Sequence, residues 1–171
     1  GVVASIAGVF AVRAREGETN ALKPINRGFL VAGVLTVIGT LIVSLVYVGN
    51  DNDAGETTNA GWKCFGAVVI GLVLAQGVSR LTEYFTSTEH APVRDIAEAA
   101  RTGPATTVLS GIASGLESTV WAIVAIAVAL GATIFLGGGN IQFVFYLVAL
   151  SGMGMLATTG VVVSEDTFGP V

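Results

Sequence analysis

Two carboxylates stand where a mostly apolar chain has least use for them. Glu83 follows Ala67, Gly71, Ala75 and Ser79 at four-residue steps, with Arg80 three residues before it and Gln76 on an adjacent turn. Residues four apart share a helix face, so the spacing describes a stripe of small side chains for close helix packing. The stripe ends in an acid that Arg80 can reach as an ion pair. Glu117 follows two further small rows, Ser110/Ser114/Ser118 and Gly111/Gly115, about eleven residues into a helix read over 106–136. A carboxylate at such a depth costs ~2.5 kcal/mol or more in lipid unless it is paired or hydrated. Together these groups could form a polar track facing a protein interior or a wet cavity. The plainer alternative has Arg80 and Glu83 extending to the membrane surface and Glu117 in a structural hydrogen bond.

Other polar residues say less. Glu165 and Asp166 end the last apolar run, where carboxylates can bind Mg2+ or mark an interface. His90 has no second ligand near it in the sequence, and Cys64 is the only cysteine, which excludes an internal disulfide or a thiolate metal cluster. "RDIAEAAR" reads as a short amphipathic helix with solvated charges, and Pro104 suits the first position of the helix after it. The glycine-rich segments lack the lysine of a phosphate-binding loop.

These residues must be positioned by membrane helices. Of 171 residues, 53% are hydrophobic and 12% charged, and the mean hydropathy is +0.78. A soluble domain carries about 25% charged residues. The net charge of −4 and the absence of a basic tract exclude nucleic acid as an expected partner. The expected fold is an all-α integral membrane protein with five transmembrane helices. Residues 1–12 form the end of a truncated span, and 28–49, 62–84, 106–136 and 141–163 form full ones. The connections are 13–27, 50–61, 85–105 and 137–140, with 164–171 after the last span. Arg13, Arg15, Lys23, Arg27, Arg80, Arg94 and Arg101 all fall at alternate connections, leaving Lys63 as the exception among eight basic residues. The positive-inside rule makes those connections cytoplasmic. From these residues alone the chain reads as a transporter or pump. Lacking an initial methionine or a basic leader, and ending without a polar tail, it is expected to be an internal piece of something longer.

The stretch "EYFTSTEHAPVRDIAEAARTGPATTVLSGIASGLEST" resembles the central segment of the membrane-bound, ion-translocating inorganic pyrophosphatases. The resemblance rests on Glu83-Tyr84-Phe85-Thr86-Ser87, Pro92-Val93-Arg94, Thr102-Gly103, Ala105-Thr106 and Glu117-Ser118-Thr119. It continues in "GMGMLATTGVVVSEDTFGPV", although Glu165 replaces a more often apolar residue. The first 60 residues agree only in pattern. The resemblance implies a pump that hydrolyses pyrophosphate on the cytoplasmic side and exports H+ or Na+. It also implies a sixteen-helix homodimeric bundle in which these spans are a middle block, roughly helices seven to eleven. Mg2+ is the implied cofactor and K+ a candidate second cation. The multi-pass protein would lie in a prokaryotic inner membrane, with the lipid bilayer as its surroundings. Asp166 would be the shoulder of the active site, and Arg80, Glu83, Arg94 and Glu117 coupling or structural residues. The main Mg2+-binding carboxylates would lie outside this chain, leaving the isolated 171 residues without pyrophosphatase activity. The rival readings are a secondary transporter using Arg80, Glu83 and Glu117 as a proton relay, and a non-catalytic membrane scaffold.

Overall fold

A computed structural model describes residues 2–12, 22–48 and 59–168, with side chains outside that description at 22–26 and 164–168. Arg13, Arg15 and most of the 50–61 connection lie outside the described residues, as does the Lys23 side chain. All regular structure among the described residues is helical. The order is α1 (Val2–Ala11), α2 (Leu22–Val43) continuing as a π-helix (Ser44–Val48), α3 (Ala60–Thr86), α4 (Ala91–Ala99) with a 3-10 turn (Ala100–Thr102), α5 (Pro104–Gly137), α6 (Ile141–Leu156) and α7 (Thr159–Phe168). Lipid offers no partner for a backbone N–H or C=O, and a helix satisfies these groups within itself.

Among the described residues, four stretches are long and apolar enough to cross a membrane: Arg27–Val48, Ala60–Thr102, Pro104–Gly137 and Ile141–Val163. The first of the five expected spans, read as the end of a truncated one, is a ten-residue helix, and ten residues rise only ~15 Å against a core of ~30 Å. The last stretch, expected as one helix, is α6 and α7 joined by a tightened turn at residues 157 and 158. Its amide bonds run from Ala157 to Gly154 (3.3 Å) and from Val161 to Thr158 (3.0 Å). The hydroxyls of Thr158 and Thr159 donate to the carbonyls of Met155 and Leu156 (3.3 and 2.7 Å). Hydroxyls re-satisfying freed carbonyls are what allow such a turn inside an apolar run.

The chain forms two compact units, one of Gly1–Ala75 with Gly131–Val171 and the other of Gln76–Leu130. In the first, the interior is built largely from small residues. Ala32, Ala60, Ala67, Thr133, Ala157 and Thr158 are buried, while Val2, Val46, Tyr47 and Phe135 face outward. A hydrophobic driving force between helices is missing in lipid, so close backbone approach and hydrogen bonds do the packing. The α3–α6 crossing shows this directly. A Cβ at Gly71 would fall on the Ser151 carbonyl, and one at Gly154 on the Val68 carbonyl. Cys64, Ala67 and Leu147 close the crossing on one side, Val68, Leu72 and Ala157 on the other. The Thr36 hydroxyl donates to the Ala32 carbonyl (2.8 Å), and Ser44 to the Gly61 carbonyl, tying the π-helix to the start of α3.

Lys63, the exception to the charge pattern, lies near the first turn of α3 with its Nζ 5.9 Å from the Phe143 ring centroid. Asn140 caps α6, its Oδ1 accepting from the Phe143 amide (3.1 Å). The aromatic ring gives the ammonium group a favourable partner at the helix ends.

Candidate functional site

The residues singled out for chemistry are divided between the two units. Arg80, Glu83, Arg94 and Glu117 belong to the second; Asp166 belongs to α7 in the first. The Asp166 side chain lies outside the described residues; its backbone continues α7.

In the second unit, the end of α3, the first half of α4 and residues 110–117 of α5 line a polar cavity of about 340 Å3. Tyr84 and Phe85 line it from α3, Asp95 from α4, and Ser110, Ser114 and Glu117 from α5. Local sequence explains the walls. Tyr84 and Phe85 close α3, their rings set edge to face at 5.2 Å, and His90 lies over Tyr84 at 5.2 Å as the N-cap residue of α4. Beyond the 3-10 turn, the Thr102 hydroxyl donates to the Ala99 carbonyl (2.7 Å) and lies 2.7 Å from Thr106 Oγ1, joining α4 to the first turn of α5. Ser110, Ser114 and Glu117 then follow at four- and three-residue steps on one face.

Glu117 is exposed and lines the cavity together with Asp95. The 34 residues of α5 rise ~51 Å, whereas a bilayer core takes ~30 Å, or about 20 residues, so the helix is longer than one crossing needs. Residues 118–137 carry no charge.

The Arg80–Glu83 ion pair suggested by the spacing is not formed. Arg80 is exposed and Glu83 half-buried, with no ion pair between them. At a helix end, holding two long side chains together costs entropy that an exposed pair barely offsets. The stripe leading to Glu83 grades from buried (Ala67, Gly71) to half-buried (Ala75, Ser79). The rows on α5 differ, because Gly111 and Gly115 have open space where a side chain would go. Arg94 is exposed on α4. Asp95, its neighbour, was hidden in the amphipathic pattern that assigned all the charges of "RDIAEAAR" to solvent. Its signal would have been a position on the same side as Pro92, one turn before it.

The resemblance places the main Mg2+-binding carboxylates outside this chain. Among the described residues no three of His, Cys, Asp or Glu are grouped to hold a metal ion. Asp95 and Glu117 can hold water and protons, and the cavity supplies hydroxyls to order them.

In the first unit, α7 starts against α1. The Gly160 amide donates to Ser5 Oγ (2.9 Å), and a Cβ at Gly160 would lie 2.5 Å from that oxygen and 2.9 Å from Val9 Cγ2. Val161, fully buried, packs with Phe29, Ala32 and Val12.

Comparison with known proteins adds a family to this geometry. The family described as inorganic H+ pyrophosphatase matches residues 1–171. A K+-insensitive pyrophosphate-energized proton pump of Streptomyces coelicolor is 39% identical, covering 100% of this chain and 23% of the relative. A protein of the same name from Chloroflexus aurantiacus is 40% identical over 100% of this chain and 22% of its own length. A provisionally named K+-stimulated pyrophosphate-energized sodium pump of Clostridium tetani is 35% identical, again over 100% of this chain and 24% of the relative. The chain therefore spans under a quarter of the length of these curated relatives.

Proposed function

The chain belongs to the inorganic H+ pyrophosphatase family, and from that membership we propose that it is one block of a pump coupling pyrophosphate hydrolysis to H+ or Na+ export. The observation carrying this reading is the match along all 171 residues to relatives named as pyrophosphate-energized pumps. The four membrane-length helices support the setting. In this reading the block takes its place in a sixteen-helix bundle, paired as a homodimer in a prokaryotic inner membrane. The connections bearing Arg27, Arg94 and Arg101 face the cytoplasm. Asp166 then stands at the hydrolytic side, as the edge of a Mg2+-dependent site whose other carboxylates come from elsewhere in the protein. K+ is a candidate second cation. Arg80, Glu83, Arg94 and Glu117 support or couple that site.

The test uses the full-length protein in inside-out membrane vesicles. Pyrophosphate with Mg2+ should release phosphate and acidify or load Na+ into the vesicle lumen. Ion movement without pyrophosphate hydrolysis would identify a secondary transporter, and neither activity a scaffold; either result overturns the proposal.

A further inference from the structure

Ser5 is a polar residue to which no role in the reaction has been given. Its oxygen reaches across from α1 to the first turn of α7, where it accepts a hydrogen bond from the Gly160 amide at 2.9 Å. Helix N-termini present amides that a serine oxygen satisfies well, usually from the residue just before the helix. Here that acceptor comes from another helix, 155 residues away in sequence. The surroundings leave little play. Ser5, Gly8, Val9 and Val12 repeat at helical spacing, and all four meet α7 or the residues packed with it. A Cβ at Gly8 would lie 2.9 Å from both Ala32 Cβ and Val161 Cγ2, and Val9 stands against Gly160. Val12 packs on the Phe29, Ala32 and Val161 cluster.

We infer that Ser5 is a positioning residue that fixes where α7 starts, and hence where Asp166 is presented. Asp166 lies six residues beyond Gly160 on the same helix, roughly 9 Å along its axis. The turn at residues 157 and 158 makes this acceptor useful, because α7 leaves α6 through amide bonds that span three residues instead of four. Its direction is then set by what its first turn packs against. A small rotation there displaces a carboxylate six residues on, and misplacement of about 1 Å is costly in a reacting site.

The inference rests on the proposed pyrophosphatase reading and is tested in the full-length protein with three variants. Ser5→Ala removes the acceptor, Ser5→Thr keeps it, and Ser5→Cys keeps the volume while weakening the acceptor. Ser5→Ala is expected to raise the KM for Mg2+-pyrophosphate about fivefold, the size of one lost helix cap. Ser5→Thr should stay within about twofold of wild type, with Ser5→Cys between them. A merely structural serine would lower the amount of active protein and leave KM unchanged, and that result overturns the inference. If Ser5→Ala does not fold, an unchanged KM in Ser5→Cys overturns it equally. Amide hydrogen exchange at Gly160 separates the two readings. A wild-type protein without hydrolysis defeats the functional reading, whereas unchanged Gly160 exchange in Ser5→Ala or Ser5→Cys defeats the role of Ser5.

Discussion

Gly71→Ala should open the α3–α6 crossing, although it adds one methyl group to a helix that would ordinarily welcome it. Replacing Gly by Ala in a helix interior gains about 1 kcal/mol from propensity. At Gly71 the new Cβ would fall on the Ser151 carbonyl and lie 3.1 Å from the Met155 amide nitrogen. Both are backbone atoms, so no rotamer change relieves the collision and the helices must part. Overpacking of this kind costs up to about 3 kcal/mol, leaving a net loss of about 2 kcal/mol. A loss of that size multiplies the population of open crossings about 25-fold. Cys64 reports it: the residue is 3% exposed and packed with Ala67 and Leu147 at the same crossing. With Cys64 as sole cysteine in detergent-solubilised protein, maleimide labelling at fixed pH should accelerate about 25-fold in Gly71→Ala if labelling proceeds through opening. Gly77→Ala, on the same helix with open space around it, should label no faster than wild type. Equal rates in the two variants would refute the claim that backbone contact holds α3 to α6.

Asn140→Ala should lower the stability of α6 by about 1 kcal/mol through loss of its cap, seen as a lower thermal midpoint, with Asn140→Asp close to wild type. In the full-length protein, Asp166→Asn should cripple pyrophosphate hydrolysis; wild-type phosphate release would remove Asp166 from the site. Glu117→Ala, which takes one of two carboxylates from the α3–α4–α5 cavity, should lower ion transport per pyrophosphate hydrolysed or the yield of folded protein. An unchanged transport ratio at normal yield would return Glu117 to the surface. The isolated 171 residues should release no phosphate from Mg2+-pyrophosphate above a vector control, checked by a phosphate assay on the purified chain.

What could be read from the sequence was whatever has a period. The steps from Ala67 to Gly71 are every fourth residue and fall at the tightest crossing. Proline at 104 begins α5, and the amphipathic "RDIAEAAR" largely becomes α4 and its 3-10 turn. Hydropathy registers transfer into lipid but not the partners of backbone groups, so the continuous run 141–163 gave no sign of the turn at residues 157 and 158. Its trace was local: Thr158, Thr159 and Gly160, two hydroxyls and a residue without a side chain. Asp95 and Ser5 were missed because their importance lies in a neighbour distant in sequence, which no window of adjacent residues contains.

The inverted distribution of side-chain size in the first unit separates two jobs that water-soluble proteins combine. Ala32, Ala67, Leu147, Ala157 and Thr133 make the contacts between helices, while Val2, Val46, Tyr47 and Phe135 meet the surroundings. Outward residues can therefore change in size without disturbing a contact inside the unit. The same change made inward, even a single methyl at a glycine crossing, forces the helices apart.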